Sequence, residues 1–152
     1  LILGRPTSFF YATPQGCGSQ NCSQEILALG TPILWWSAVI AVAVTFGYWI
    51  TRREWQSGLI LLALAAGYLP WFLIQKRTMF SFYAIAIEPF LILCLVFTIG
   101  KYLENKNRSR NIVVLAWLVL VALCFIYFLP LYLGTPLTYS SWFHRMWLPS
   151  WI

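Results

Sequence analysis

Four apolar stretches, Ile33 to Ile50, Gly58 to Ile74, Phe80 to Ile99 and Ile112 to Leu133, constrain what this chain can fold into. Each runs for about 17 to 22 residues, the length that carries a helix across a hydrocarbon layer. The first holds no charge and shows no apolar stripe set against a polar face, so it does not read as the surface helix of a soluble protein. Composition points the same way: 61% of residues are hydrophobic, 18% aromatic and only 9% charged, outside the range of an ordinary soluble domain. The expected fold is an all-α membrane protein. Four transmembrane helices fill residues 31–133, a loop or interfacial segment occupies 1–30, and an interfacial tail occupies 134–152.

Local signals set the expected ends and the orientation. Thr31 and Pro32 offer an N-cap and a first-turn proline for the first span, and Gly100 marks the expected stop of the third. Arg52, Arg53, Lys101, Lys106, Arg108 and Arg110 fall in loops on one side, against Arg5, Lys76, Arg77 and Arg145 on the other. Six cations against four place both termini outside the cytoplasm. Trp35, Trp36, Trp71, Tyr83 and Tyr132 then form an outer aromatic belt, and Tyr48, Trp49, Trp55 and Tyr102 an inner one. Nothing near the start resembles a signal peptide, and the opening LILGRPTSFFY reads as the continuation of a longer membrane protein.

Lys76 and Arg77 stand out, two adjacent cations on a short turn in LPWFLIQKRTMFSFYAIAIEPF. They lie on the face that the charge rule leaves poorer in cations, so an anionic partner is expected there. Glu88 lies within the third stretch, where a carboxylate costs roughly 2.5 to 3.5 kcal/mol and usually faces a cavity or a cation. It reads either as an intramembrane site or as a packing carboxylate beside Pro89. Cys17 and Cys22, in GCGSQNCS, fit a short disulfide-closed loop in an oxidising compartment. Their spacing, with no histidine nearby, falls short of a zinc site. Asn21-Cys22-Ser23 also matches the glycosylation acceptor pattern. Cys94 and Cys124, inside spans, read as small packing residues. In the tail, Trp142, Phe143, Met146 and Trp147 recur at helical spacing, which suits a segment lying in the interface. His144, the one histidine, reads as an interfacial polar contact that still titrates in the range useful for acid-base work.

An ordered set of short motifs covers nearly the whole chain: GTPILWW at Gly30–Trp36, LPWF at Leu69–Phe72, RTMFSFYA at Arg77–Ala84, PF at Pro89–Phe90 and MWLPSW at Met146–Trp151. Together they resemble the C-terminal four-span region of protein O-mannosyltransferases of the actinobacterial type. The resemblance implies a multispan glycosyltransferase membrane fold of the GT-C type. It implies residence in a bacterial plasma membrane with the active site on the extracytoplasmic face. It also implies transfer of mannose, with inversion, from a polyprenyl-phosphate-mannose donor to Ser or Thr hydroxyls of translocating polypeptides. The implied partners are membrane lipid, polyprenyl phosphate, acceptor polypeptides and upstream helices of the same protein, with no nucleic acid.

In that family an acidic pair in the first extracytoplasmic loop, far upstream, supplies the acid-base group. None of Glu25, Glu54, Glu88 or Glu104 matches it, so no catalytic base is expected in these residues. What is expected here is the donor-phosphate side. Negative charge grows on the phosphate as mannose leaves, and fixed cations aimed there lower the barrier. Arg77 can hold two oxygens at once, Lys76 acts as a point charge, and Tyr83 offers a hydroxyl. Two other classes remain open at this stage. A small four-helix transporter would use Glu88 as an ion ligand and needs polar residues facing it, whereas a non-catalytic assembly subunit needs only belts and packing.

Overall fold

The computed structural model describes residues 6–13, 22–73, 85–104 and 107–151. The chain divides into two compact units, residues 33–119 and residues 1–32 with 120–152.

The first unit is helical. Helix α1 (Pro32–Arg52) starts at the expected proline, α2 (Trp55–Tyr68) follows after a two-residue turn, and α3 (Pro70–Leu73) is a single further turn. The break between them falls where Pro70 removes an amide donor, so the second stretch is not one continuous helix. Helix α4 (Glu88–Leu103) carries Pro89 in its first turn, and α5 (Arg108–Leu133) is the longest element. The expected stop at Gly100 is not used. Its carbonyl instead accepts the Glu104 amide at 3.0 Å, and α4 runs on to Leu103. Glycine lowers helix propensity but does not force an end where the chain keeps right-handed dihedrals.

The contacts fix the helix directions. Thr45 Oγ1 lies 3.5 Å from the Cys94 carbonyl and Thr98 Oγ1 3.4 Å from the Ala41 carbonyl, while further along Tyr48 meets Phe97 and Lys101. The Thr98–Ala41 contact crosses the trend, but the C-terminal turns of both helices meet at Tyr48, Phe97 and Lys101, and Lys101 also reaches Glu54 just past the end of α1, so the two helices run parallel. In α2 the order reverses: Glu54, before its first turn, pairs with Lys101, and Gly67, in its last turn, faces Ile87. Near the start of α5, Arg110 Nη1 donates to the Tyr102 carbonyl at 2.8 Å, and Trp117 Nε1 reaches back to Ser37 Oγ at 2.9 Å. Direction therefore alternates through α1, α2, α4 and α5.

Small side chains let these helices approach. Ala38, Ala41, Cys94 and Leu95 form the buried centre, with Leu34, Leu64, Leu91 and Trp117 packed around it. The buried hydroxyls are satisfied locally: Thr45 donates to Ala41 O at 2.7 Å and Ser57 to Glu54 O at 2.7 Å. Among the described residues two helices are long and apolar enough to cross a membrane, α1 with mean hydropathy 1.8 and α5 with 3.0. Only 17% and 11% of those windows are buried, whereas the core helix of a soluble protein would be mostly covered. Such surface suits lipid.

The second unit adds a small sheet built from the segment before α1 and the tail after α5. Strands β1 (Thr7–Ala12), β2 (Cys22–Ala28) and β3 (Leu137–Thr138) pair antiparallel in the order β1-β2-β3. The register slips between Ser8 and Phe10, so Phe9 is an extra residue on β1. After α5, Gly134 adopts φ +64 and the Thr135 amide folds back to the Pro130 carbonyl at 3.0 Å, a left-handed helix ending that glycine favours. A short helix α6 (Tyr139–Phe143), capped by Thr138, and a closing turn at Pro149–Trp151 complete the unit. Its centre is Phe128, fully buried, with the Trp147 and Trp151 rings at 4.9 and 6.4 Å.

Candidate functional site

Lys76, Arg77 and Tyr83 lie in the segment 74–84, outside the described residues, and so does Cys17. The structure does describe the scaffold on either side of that segment. A Cβ added to Gly67 would sit 3.1 Å from Ile87 Cγ2, so the last turn of α2 and the residue before α4 are in close contact. The α2 exit is held by the Leu69 amide to Ala65 O at 2.8 Å and the Phe72 amide to Leu69 O at 3.1 Å, with Tyr68 and Phe72 edge to face at 5.3 Å. Elements α2, α3 and α4 thus present both ends of the 74–84 segment from one end of the helix group.

Beside that end, an open groove of about 530 Å³ runs over Leu62, Ala65, Ala66, Leu69, Pro70 and Phe72. Its wall is almost entirely carbon, because α2 alternates large and alanine side chains on this face and Pro70 then turns the chain. Glu88 is the first residue of α4 and half-buried, with Ile87 preceding it as N-cap. There its charge meets the positive end of the helix dipole, a favourable place for a carboxylate. Among the described residues no side-chain hydrogen bond or ion pair engages it. The buried Thr45 of α1 meets α4 at the Cys94 level, one to two turns further along that helix.

The opposite end of the group holds a cluster that sequence reading missed. Lys101 Nζ lies 2.9 Å from Glu54 Oε2 and 2.8 Å from Glu104 Oε1, with the Tyr48 and Phe97 rings at 5.9 and 5.6 Å. Its hydrogen bonds, to Glu104 first and Glu54 second, hold the ammonium above the usual lysine range. The i,i+3 spacing of Lys101 and Glu104 was a legible signal; the reach from Glu54 was not. The 13 residues from Glu54 to Gly67 correspond to roughly 20 Å of helix, about two-thirds of a hydrocarbon layer, so this cluster and the α2 exit lie at opposite ends of α2. Lys101 is engaged by two carboxylates and is no anion binder.

In the sheet-bearing unit, Glu25 Oε2 accepts from Trp142 Nε1 at 2.8 Å, and Gln24 Nε2 donates to Gly134 O at 2.8 Å. Arg145 donates to two carbonyls, Tyr127 O at 2.9 Å and Ser141 O at 2.7 Å, and lies over the Tyr127 ring at 4.7 Å. His144 Nδ1 meets Ser140 O at 2.7 Å, so that nitrogen carries the proton. These contacts fasten the tail to α5 and β2. Cys22 is disulfide-bonded, whereas Cys94 and Cys124 are buried free thiols.

Comparison with known proteins decides the lineage. Residues 2–151 match the C-terminal four TMM region of protein-O-mannosyltransferase. The chain belongs to the protein O-mannosyltransferase family. A polyprenol-phosphate-mannose–protein mannosyltransferase from Mycolicibacterium smegmatis is 34% identical over 142 residues, which cover 90% of this chain and 28% of that protein. The protein of the same name from Mycobacterium tuberculosis is also 34% identical, over 90% of this chain and 27% of its own length. The Corynebacterium glutamicum one is 32% identical over 99% of this chain and 30% of its own length. This mannosyltransferase-family chain therefore spans under a third of the curated relatives it matches. No solved structure matches it.

Proposed function

We propose that these residues form the donor-lipid side of an enzyme that moves mannose from polyprenyl-phosphate-mannose to Ser or Thr hydroxyls of secreted and membrane proteins. The observation that carries the reading is the family match over residues 2–151, together with the donor and acceptor class in the names of the relatives. Four crossings are proposed: α1, α2 with α3, α4 with the residues before it, and α5. The alternating helix directions support that count. The 74–84 segment, the chain ends and the tail then share the extracytoplasmic face of a bacterial plasma membrane, and the Lys101 cluster lies at the cytoplasmic end. A GT-C class architecture follows from the family alone.

Within that frame, Arg77 binds two oxygens of the donor phosphate and Lys76 adds a point charge, with Tyr83 donating a hydroxyl hydrogen bond. As the bond between the sugar carbon and the phosphate oxygen breaks, charge accumulates on the phosphate, and cations already in place stabilise it without reorganising. The acceptor hydroxyl needs a base, which is proposed to come from sequence outside these residues. Cys22 pairs with Cys17 in this reading and closes a loop on the oxidising face. An ion-transport role for Glu88 has no facing polar partner among the described residues to support it. The test is transfer of labelled mannose from polyprenyl-phosphate-mannose to a Ser/Thr peptide by membranes carrying the intact protein. Labelled peptide is expected, and incorporation no higher than in membranes lacking the protein would refute the function.

A further inference from the structure

Strand β1 exposes three consecutive aromatics: Phe9 is 63% exposed, Phe10 46% and Tyr11 61%. The bulge at Phe9 contributes to this, because the extra residue interrupts the alternation that would otherwise turn every second side chain inward. In water, a flat aromatic edge strand is a template for aggregation and is normally blunted by charge. The sequence TSFFYA carries none. In hydrocarbon the same strand fails for another reason. β1 is the edge of the sheet, its Phe9–Tyr11 stretch pairs only with β2 among the described residues, and backbone groups on the outer side would find no water. The headgroup layer meets both demands, since it wets the backbone and accepts amphipathic rings.

An independent line places the strand at that depth. The apolar run of α5, Ile112 to Leu133, is 22 residues by its numbering, or roughly 33 Å of helix, about one hydrocarbon thickness. Gly134, immediately after it, therefore marks the membrane boundary. β2 is fastened to that residue: Gln24 Nε2 bonds to its carbonyl at 2.8 Å, and Ile26 packs where a Gly134 Cβ would be. β1 lies one strand spacing from β2, about 5 Å, within a headgroup layer roughly 5 to 8 Å deep. On α6, Tyr139 and Phe143 add exposed rings to the same unit.

We propose that the β1–β2 hairpin is a membrane-interface platform, its Phe9, Phe10 and Tyr11 side chains seated in the lipid headgroup layer at the level where α5 leaves the hydrocarbon. The partner is the lipid surface itself, and the proposal stands on the membrane reading rather than on mannose transfer.

The test uses the intact protein in phosphatidylcholine and phosphatidylglycerol vesicles, spin-labelled at Phe9→Cys or Tyr11→Cys. Collision with dissolved oxygen is compared with collision with a water-soluble nickel chelate. Leu123→Cys, on the exposed middle of α5, gives the hydrocarbon reference and Asn107→Cys the aqueous one. Both strand labels are expected at intermediate ratios, within a few Å of the phosphate plane. Ratios equal to either reference would overturn the proposal, as would a label that neither reagent reaches, which would mean that protein covers the strand. Should the labels disturb folding, p-benzoylphenylalanine in place of Phe10 keeps an aromatic there. Irradiation is expected to yield protein–phospholipid adducts by mass spectrometry, and adducts with protein alone would overturn it.

Discussion

Gly134→Ala tests the junction on which the sheet-bearing unit depends. Two costs arise together. Alanine must adopt φ +64, a left-handed conformation that costs a residue with a Cβ about 1 to 2 kcal/mol. Its Cβ would also lie 2.5 Å from Ile26 Cγ1, inside van der Waals contact, and relieving such crowding typically costs 1 to 3 kcal/mol more. The sum, roughly 2 to 5 kcal/mol, should appear as local opening of the tail. Trypsin cleavage after Arg145 reports that opening, because the guanidinium is held by Tyr127 O and Ser141 O in the closed form. Where cleavage follows the open population, the rate should rise by about 30-fold to several thousand-fold. Adding Ile26→Ala removes the crowding but not the backbone cost, so the double variant should recover part of the loss. A cleavage rate unchanged by Gly134→Ala, or no coupling between the two positions, would refute this account of the junction.

Three further outcomes follow from contacts described above. Lys101→Met leaves Glu54 and Glu104 facing each other without their cation and should lower the unfolding midpoint in detergent. Because the Lys101 pKa is raised, its contribution is present in full below the ordinary 10.5 and is lost as pH climbs through the higher folded value. The difference from wild type should thus stay constant from pH 6 to 9, and a difference that shrinks across that range would contradict the ion-pair assignment. Impermeant thiol labelling of intact cells should reach Ser140→Cys but not Asn107→Cys, and the reverse pattern would invert the proposed orientation. Mass spectrometry of unreduced peptides should join Cys22 to Cys17, and a Cys22 peptide linked elsewhere would exclude that loop.

Helices α1 and α5 were legible because length and hydropathy are local properties, and Pro32 marked a start that the chain uses. The second and third stretches are less regular than their residue count suggests. Pro70 separates α2 from α3 in the second, and in the third the described helix α4 begins at Glu88, with Pro89 in its first turn. The sheet was hidden for a different reason. CSQEILA could form a helix as easily as a strand, and its pairing with Leu137 and Thr138 depends on chain more than 100 residues away. For the candidate site, the charge pattern singled out Lys76 and Arg77 without any fold. What sequence could not supply was the contact of Gly67 with Ile87, which brings α2 and α4 together at one end, or the reach of Glu54 to Lys101 at the other.

The role of Arg77 in donor chemistry is the central claim, and mannosyl transfer by the intact protein is its most direct measurement. Labelled polyprenyl-phosphate-mannose and a Ser/Thr peptide serve as substrates, with folding and membrane insertion of each variant checked in parallel. If the guanidinium stabilises the leaving phosphate, Arg77→Ala should lower turnover about 10²-fold or more, the scale set by loss of one preorganised charge donor. Arg77→Lys should restore only part, since a two-pronged contact becomes a point charge. Lys76→Ala should lose less, chiefly through weaker donor binding. Wild-type turnover in well-folded Arg77→Ala protein would contradict the account and leave the cationic turn as a headgroup anchor.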